Sequence, residues 1–238
     1  MHRANVEATR AVLEAAEAAR AGRVVYVSTL GAHGDTAGRV VDETYRRSSE
    51  AFLSYYDETK YRAHQLVELA ADRGLPVVIA MPSQVYGPAD HSEIGAMIRQ
   101  AAAGSLRAKV LAEAGVCMVH VDDLADGILR VHDRGRVGES YALAGECVRL
   151  GELMDMAAEA GGRQPPRLTV PTNLLRALAP VAGAVSRLTG RGPNLRETIR
   201  TGDGVTFWAS SDRARRELGW EPRPLDIGLR QLFGPANR

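Results

Sequence analysis

RVVYVST at residues 23–29 and PVVIAM at residues 76–81 are short, nearly continuous apolar runs of β-forming residues. Such runs mark strands buried on both faces, as in parallel sheets. Between them, Gly31 to Ser49 is polar and glycine-containing, and reads as loop. Ala51 to Arg73 reads as a helix, because Phe52, Tyr55, Tyr56, Ala63, Leu66, Val67 and Ala70 recur at helical spacing. Upstream, Asn5 to Ala19 reads as a further helix that ends near Gly22. The order helix, strand, helix, strand predicts an α/β fold with right-handed crossovers. Ligands of open α/β sheets bind beyond the carboxyl ends of the strands. Thr29 and Pro82 follow the two clearest strands, on that edge.

The rest of the chain reads differently. Pro82 to Asp90 is expected to be loop, Ile94 to Ala103 helix, and Val110 to Val121 a place for short strands. Asp122 and Asp123 precede a helix over about Leu124 to His132, and Ser140 to Leu143 is a strand. Beyond it come mostly helices: Leu150 to Ala160, a stripe from Leu174 to Leu188, a stretch near Arg196, Ser211 to Leu218, and Leu225 to Phe233. Residues 1–90 are therefore assigned to a sheet-building domain, with 119–146 packing back on it. Residues 91–238 form mainly a smaller, mostly helical substrate domain.

Composition narrows the function. Net charge is +1 over 238 residues with no basic run, which argues against a nucleic-acid binder. Cys117 and Cys147 suggest no disulfide framework and read as small buried hydrophobes. No metal site is expected. Arg3, Glu7, Arg10, Glu14 and Glu17 in the first turns are unlike a signal peptide, so a cytoplasmic location is expected. The Leu174 to Leu188 stretch is interrupted by Arg176, Pro180 and Arg187, too short and broken to span a bilayer. Its stripe of Leu174, Leu178, Val181, Val185 and Leu188 reads as a face packed on the domain. The alternative is contact with a membrane surface or a lipophilic substrate.

Tyr56 and Lys60, in YDETK at 56–60, are the candidate chemical pair. Residues four apart share a helix face. A cation held beside a phenol favours the phenolate and lowers its pKa from about 10. Tyr56 could then exchange a proton with an alcohol or ketone. A tyrosine and lysine at this spacing also occur on ordinary helices. Among 30 basic residues, however, only Lys60 and Lys109 are lysines, and ammonium and guanidinium are not interchangeable at a tight site.

Six stretches in order resemble the extended short-chain dehydrogenase/reductases, the group of NAD(P)-dependent epimerases and dehydratases. They are NVEATRAVLEAA at 5–16, VVYVSTLGAHG at 24–34, YDETK at 56–60, MPSQVYGP at 81–88, VHVDDLADGI at 119–128 and SSDRARRELGWEPRP at 210–224. The nearest branch is the dihydroflavonol-reductase-like and hopanoid-associated epimerase-like proteins. The resemblance implies a doubly wound, Rossmann-type parallel sheet and NAD or NADP as cofactor. It implies Tyr56 as acid/base and Lys60 as holder of the nicotinamide ribose. Thr29 would hydrogen-bond the substrate oxygen, with Ser28 as its rival and Gln84 as a further substrate contact. Pro82, Ser83 and Val85 match the loop beside the nicotinamide. Asn5 matches an asparagine near the active site, or is a helix N-cap. Asp122 is read as a cap rather than a catalyst, and His120 as structural.

The family pattern opens with a strand, a glycine-rich turn and a helix that holds the pyrophosphate. Met1 to Asn5 resembles the interior of that pattern instead, so a partial sheet lacking its first strands is expected. Gly31, Gly34 and Gly38 read as loop glycines, not a phosphate cradle. Weak NAD(P) binding and self-association through the exposed sheet edge follow as expectations, and NAD against NADP stays open. The function expected is oxidoreduction or epimerisation at a secondary alcohol or ketone. A nucleotide sugar is favoured by the resemblance, and a lipophilic ketone by the Leu174 stripe. The alternatives are a non-catalytic remnant acting as a binding protein, and a longer coding sequence that supplies the missing half.

Overall fold

A computed structural model describes residues 1–47, 51–177, 199–200 and 202–234. In chain order, a π-helical turn at Arg3–Glu7 runs into α1 (Ala8–Ala18), followed by β1 (Val24–Val27). A 3-10 turn at Leu30–His33 leads to α2 (Tyr55–Asp72), β2 (Val77–Pro82) and β3 (Gln84–Tyr86). Then come α3 (Glu93–Ala103), β4 (Ala108–Lys109), β5 (Gly115–His120), α4 (Val121–Arg134), β6 (Ser140–Leu143) and β7 (Glu146–Arg149). The last described elements are α5 (Leu150–Ala160), β8 (Leu168–Thr169), β9 (Thr206–Phe207), a π-helical turn at Ala214–Leu218 and α6 (Leu225–Phe233).

β1, β2 and β6 form a parallel sheet in the order β1-β2-β6. Every residue of β2 is buried, which requires cover on both faces. Val77, Ile79 and Met81 pack with Leu13 of α1 and Val67 and Ala70 of α2. Val78 and Ala80 point the other way, into a cluster with Val131 of α4, Leu143 and Trp220. Side chains alternate across a strand, so this is a three-layer arrangement written in one six-residue run. Each buried valine or isoleucine contributes roughly 1.5–3 kcal/mol.

A second sheet follows. β3 pairs parallel with β5, β5 pairs antiparallel with β7, and β9 pairs parallel with the start of β5. Its cover is α3, α5 and α6, through Ile98, Met118, Leu153, Met154, Leu225 and Leu229. The segment after Gly204 also fastens the loop that precedes α2. Thr36 N–H donates to Thr206 O at 2.8 Å, and Val41 N–H donates to Trp208 O at 3.1 Å. The Thr36 and Thr206 hydroxyls lie 2.8 Å apart.

Several expectations need correction. Residues 84–86 are a strand, not loop, and β7, β8 and β9 lie where mostly helices were expected. These strands are two to four residues long and depend on distant partners, so they carry no periodicity of their own. α2 begins at Tyr55, because Ser54 caps it. Cys117 and Cys147 are disulfide-bonded, since the β5–β7 register sets them directly opposite each other. Most of the Leu174 stripe and the stretch near Arg196 lie outside the described residues. No helix among the described residues is long and apolar enough to cross a membrane.

Two measurements test this fold. β1 stands at the edge of its sheet, with Val27 43 % exposed. An uncovered edge is a template for pairing with another chain. The 238-residue chain is expected to self-associate with concentration in size-exclusion chromatography, and Val27→Lys to suppress this. A concentration-independent monomer would remove the edge from consideration. His33 is 7 % exposed and its Nε2 has no hydrogen-bond partner. Burial, then the neighbouring His64 charge, lowers its pKa to about 4. The neutral ring is the folded form, so its contribution is complete above pH ~6.5 and is lost as pH falls towards 4, by up to about 3 kcal/mol. Urea midpoints across that window should fall further for wild type than for His33→Gln; parallel curves would refute the assignment.

Candidate active site

The site grows from the first turn of α2. Ser54 is extended, and its Oγ accepts the Asp57 N–H at 3.1 Å. Asp57 closes the same turn from the other side, accepting the Leu53 N–H at 3.0 Å. These bonds satisfy donors that a helix N-terminus would otherwise leave unpaired, and the two acids Asp57 and Glu58 suit its dipole. Tyr56 sits in that turn, 48 % exposed, with Lys60 one turn on.

Opposite, the chain leaves β1 in an extended conformation at Thr29, whose Oγ1 accepts the Gly31 N–H at 3.2 Å. Gly34 and Gly38 both take a φ of +75°, which suits glycine at turns and fits the loop reading. Pro82 and Ser83 continue β2 to the same edge. Together Thr29, Tyr56, Asp57, Pro82, Ser83 and Gln84 line a cavity of about 250 Å³. Its remaining walls are mainly apolar, from Leu30, Leu53, Val116 and Phe207.

Lys60, Val85 and Ser28 do not line that cavity. Ser28 is buried, with its hydroxyl 2.8 Å from His64 Nδ1. Lys60 is half-buried, and its ammonium makes no ion pair or hydrogen bond among the described residues. Lys109, by contrast, is paired with Asp155 at 2.8 Å. The expected fall in the Tyr56 pKa is absent from the protein by itself. Burial raises it above 10, and burial lowers the Lys60 pKa. Loss of water disfavours both charged forms.

Ser83 adds a polar group of a different kind: its Oγ is buried and has no hydrogen-bond partner. Asn5 is not an N-cap. It lies inside the Arg3–Glu7 turn and donates from Nδ2 to Thr59 Oγ1 at 2.9 Å, joining that turn to α2. Nor is Asp122 the cap of α4. His120 holds that position, its Nδ1 accepting the Asp122 N–H at 3.2 Å, while Asp122 lies exposed in the first turn.

Sequence reasoning passed over Ser54, Arg47, Val116 and Phe207. The Ser-x-x-Asp pattern at 54–57 is a helix-start signal that could have found Ser54. Nothing local marks Val116 or Phe207, which reach the cavity only through β5 and β9. A larger cavity of about 500 Å³ lies beyond the other ends of β3 and β5, around Tyr86, Asp90, His120 and Arg223. Of the residues discussed above it holds His120 and Asp122, but none of those assigned to substrate or cofactor.

Residues 1–144 match the NAD dependent epimerase/dehydratase family. Sterol demethylase protein B of Methylococcus capsulatus is 32 % identical over 223 residues, covering 92 % of this chain and 67 % of that protein. The 4-hydroxy-2-methyl-3-oxo-4-farnesyl-3,4-dihydroquinoline-1-oxide ketoreductase of Stigmatella aurantiaca is 32 % identical over 248 residues, covering 100 % of this chain and 73 % of that protein. The chain thus spans about two thirds of the length of these relatives. Among solved structures, gox2253 superposes with a TM-score of 0.80 at 34 % identity, covering 100 % of this chain and 72 % of that one. The dTDP-glucose 4,6-dehydratase of Bacillus anthracis, solved with NAD, superposes with a TM-score of 0.74 at 20 % identity, covering 98 % and 67 %. The ordered motifs, the parallel sheet and these matches agree: the chain belongs to the NAD-dependent epimerase/dehydratase family of α/β enzymes.

Proposed function

We propose that this chain carries the proton-handling side of an NAD(P)-linked interconversion of a secondary alcohol and a ketone, on a substrate with an apolar body. The observation that carries the reading is the cavity that gathers Thr29, Tyr56 and Ser83 within otherwise mainly apolar walls. The family's cofactor, when bound, supplies hydride exchange at its nicotinamide. Lys60, Tyr56, Pro82, Ser83 and Val85 are the residues that would hold that end. Two unused polar groups support the fit: the unpaired Lys60 ammonium suits a ribose diol, and the buried Ser83 hydroxyl lacks a partner.

Tyr56 gives its proton to the oxygen of a ketone, or takes it from an alcohol. The Thr29 hydroxyl holds the same oxygen, where a donor aimed at developing charge has most effect. Lys60, one helical turn on from Tyr56, is kept for the nicotinamide ribose rather than for lowering the phenol's pKa, which burial raises. Gln84 is left to the substrate's far side. Ser28 is not needed, because its hydroxyl is engaged with His64.

The substrate reading departs from a nucleotide sugar. A diphosphate asks for cationic or N–H donors. The charged residue lining this cavity is Asp57, already paired with Arg47 at 3.1 Å. The ketoreductase of Stigmatella, by its name, acts on a farnesylated ring ketone, and its 32 % identity supports the apolar alternative. The dehydratase and epimerase neighbours near 20 % identity share the fold.

The test is turnover by the whole protein with NADH or NADPH, on a panel of alkyl and ring ketones and, separately, nucleotide-diphosphate sugars. Tyr56→Phe should lower kcat by about 100-fold or more, the usual contribution of a positioned acid or base. Thr29→Val should cost about 100-fold, as loss of one oxygen-binding donor does. Lys60→Arg should weaken cofactor binding, because the guanidinium has the wrong shape. A Tyr56→Phe protein with near-normal turnover would overturn the acid/base role, and turnover confined to nucleotide sugars would overturn the substrate class.

A further inference from the structure

We propose that Arg47 and Asp57 form a clamp that fixes the two walls of the cavity against each other, with Arg47 a positioning residue for both Tyr56 and Thr29. The inference rests on the roles of Tyr56 and Thr29 just proposed.

The guanidinium touches both walls. On the α2 side, Arg47 Nη1 and Nη2 donate to Asp57 Oδ1 and Oδ2 at 3.1 and 3.3 Å. Asp57 is the residue after Tyr56, and its carboxylate also holds the Leu53 N–H. The guanidinium lies over the Phe52 ring at 4.3 Å and near the Tyr61 ring at 5.1 Å. On the other side it fills the space beside Gly34, where a Cβ would come within 3.2 Å of it. Gly34 closes the turn opened by Thr29, donating its N–H to Gly31 O at 3.0 Å. One planar cation therefore meets both the turn that carries Thr29 and the turn that carries Tyr56.

The pair is ill suited to a purely stabilising task. Its side chains are 7 % and 9 % exposed. Two charges taken out of water at that depth recover little more than an apolar pair of similar size would provide. What a forked, stacked ion pair provides is direction. Tyr56 needs it, since its hydroxyl makes no hydrogen bond among the described residues and its placement follows from the backbone of the first turn. Misplacement of a reacting group by about 1 Å can cost on the order of 100-fold in rate.

Backbone amide exchange on the whole protein, without ligand, is the primary test. In Arg47→Lys, the Leu53 and Glu58 amides of one wall and the Ala32 and Gly34 amides of the other should exchange about tenfold faster together, with β2 amides unchanged. The apolar double variant Arg47→Met/Asp57→Leu should keep a urea midpoint near that of wild type and still show the coupled loss. In turnover, the double variant should lower kcat about tenfold or more while leaving the cofactor KM within about threefold. Loosening of the α2 wall alone, or full protection of Gly34 in the double variant, would reduce the pair to a local ion pair and overturn the clamp. Tyr56→Phe run in parallel separates the two questions. If that variant keeps turnover the functional reading fails, whereas the exchange result decides the clamp regardless.

Discussion

Burial of β2 on both faces is the constraint on which the rest depends. Six consecutive buried residues admit no polar side and no slip of register, because a one-residue shift would exchange the two apolar sets. α1 and α2 are held to one face and α4 to the other. The ladder also runs past the strand ends into the site. Ser28 N–H donates to Ala80 O at 2.8 Å, and Ser83 N–H donates to Leu143 O at 3.2 Å. Thr29 and the Ser83 hydroxyl are thus placed by backbone bonds to the buried core rather than by contacts within the cavity. Rigid strands carrying a short irregular edge are how a binding site is made precise.

Electrostatics adds a second layer. Partial burial pushes Tyr56 up and Lys60 down, so the same loss of water acts against both charges. The phenol is held protonated, and the ammonium is left with unused donors. Arg47 and Asp57 cancel each other nearby, so the cavity wall carries little net charge of its own. Such a wall presents no strong field and leaves the local charges free to respond to what binds.

Legibility in the sequence followed the range of the interactions. RVVYVST and PVVIAM announced their strands because burial on both faces leaves an unbroken apolar run. SYAL at 140–143 and LDIGLRQLF at 225–233 gave their elements to the residue. Tyr56, Thr29 and Pro82, which line one cavity, stood out in the sequence because they lie at strand ends or at helical spacing, whereas Lys60, chosen by the same spacing, lies outside that cavity. β3, β7 and β9 were missed, since two to four residues have too little periodicity and their partners are far off. The Cys117–Cys147 bond was missed for the same reason. The direction of the Tyr56 pKa was misjudged because spacing shows a neighbour's charge but not the depth of burial.

The fastening of the Thr36–Val41 loop by residues 206–208 bears on the order in which the molecule is built. The bonded pair Thr36 and Thr206 is separated by 170 residues. Closing so long a span is slow relative to forming α1, α2 or α3, which need only local contacts. On the ribosome, the sheet β1-β2-β6 can assemble once residue 143 has emerged, yet the loop that carries Arg47 beside Tyr56 stays untied. The cavity is therefore finished only after residues 206–208 have been made. A nascent chain arrested before residue 206 would have a core but no completed site, and would expose at that loop the backbone groups that residues 206–208 satisfy.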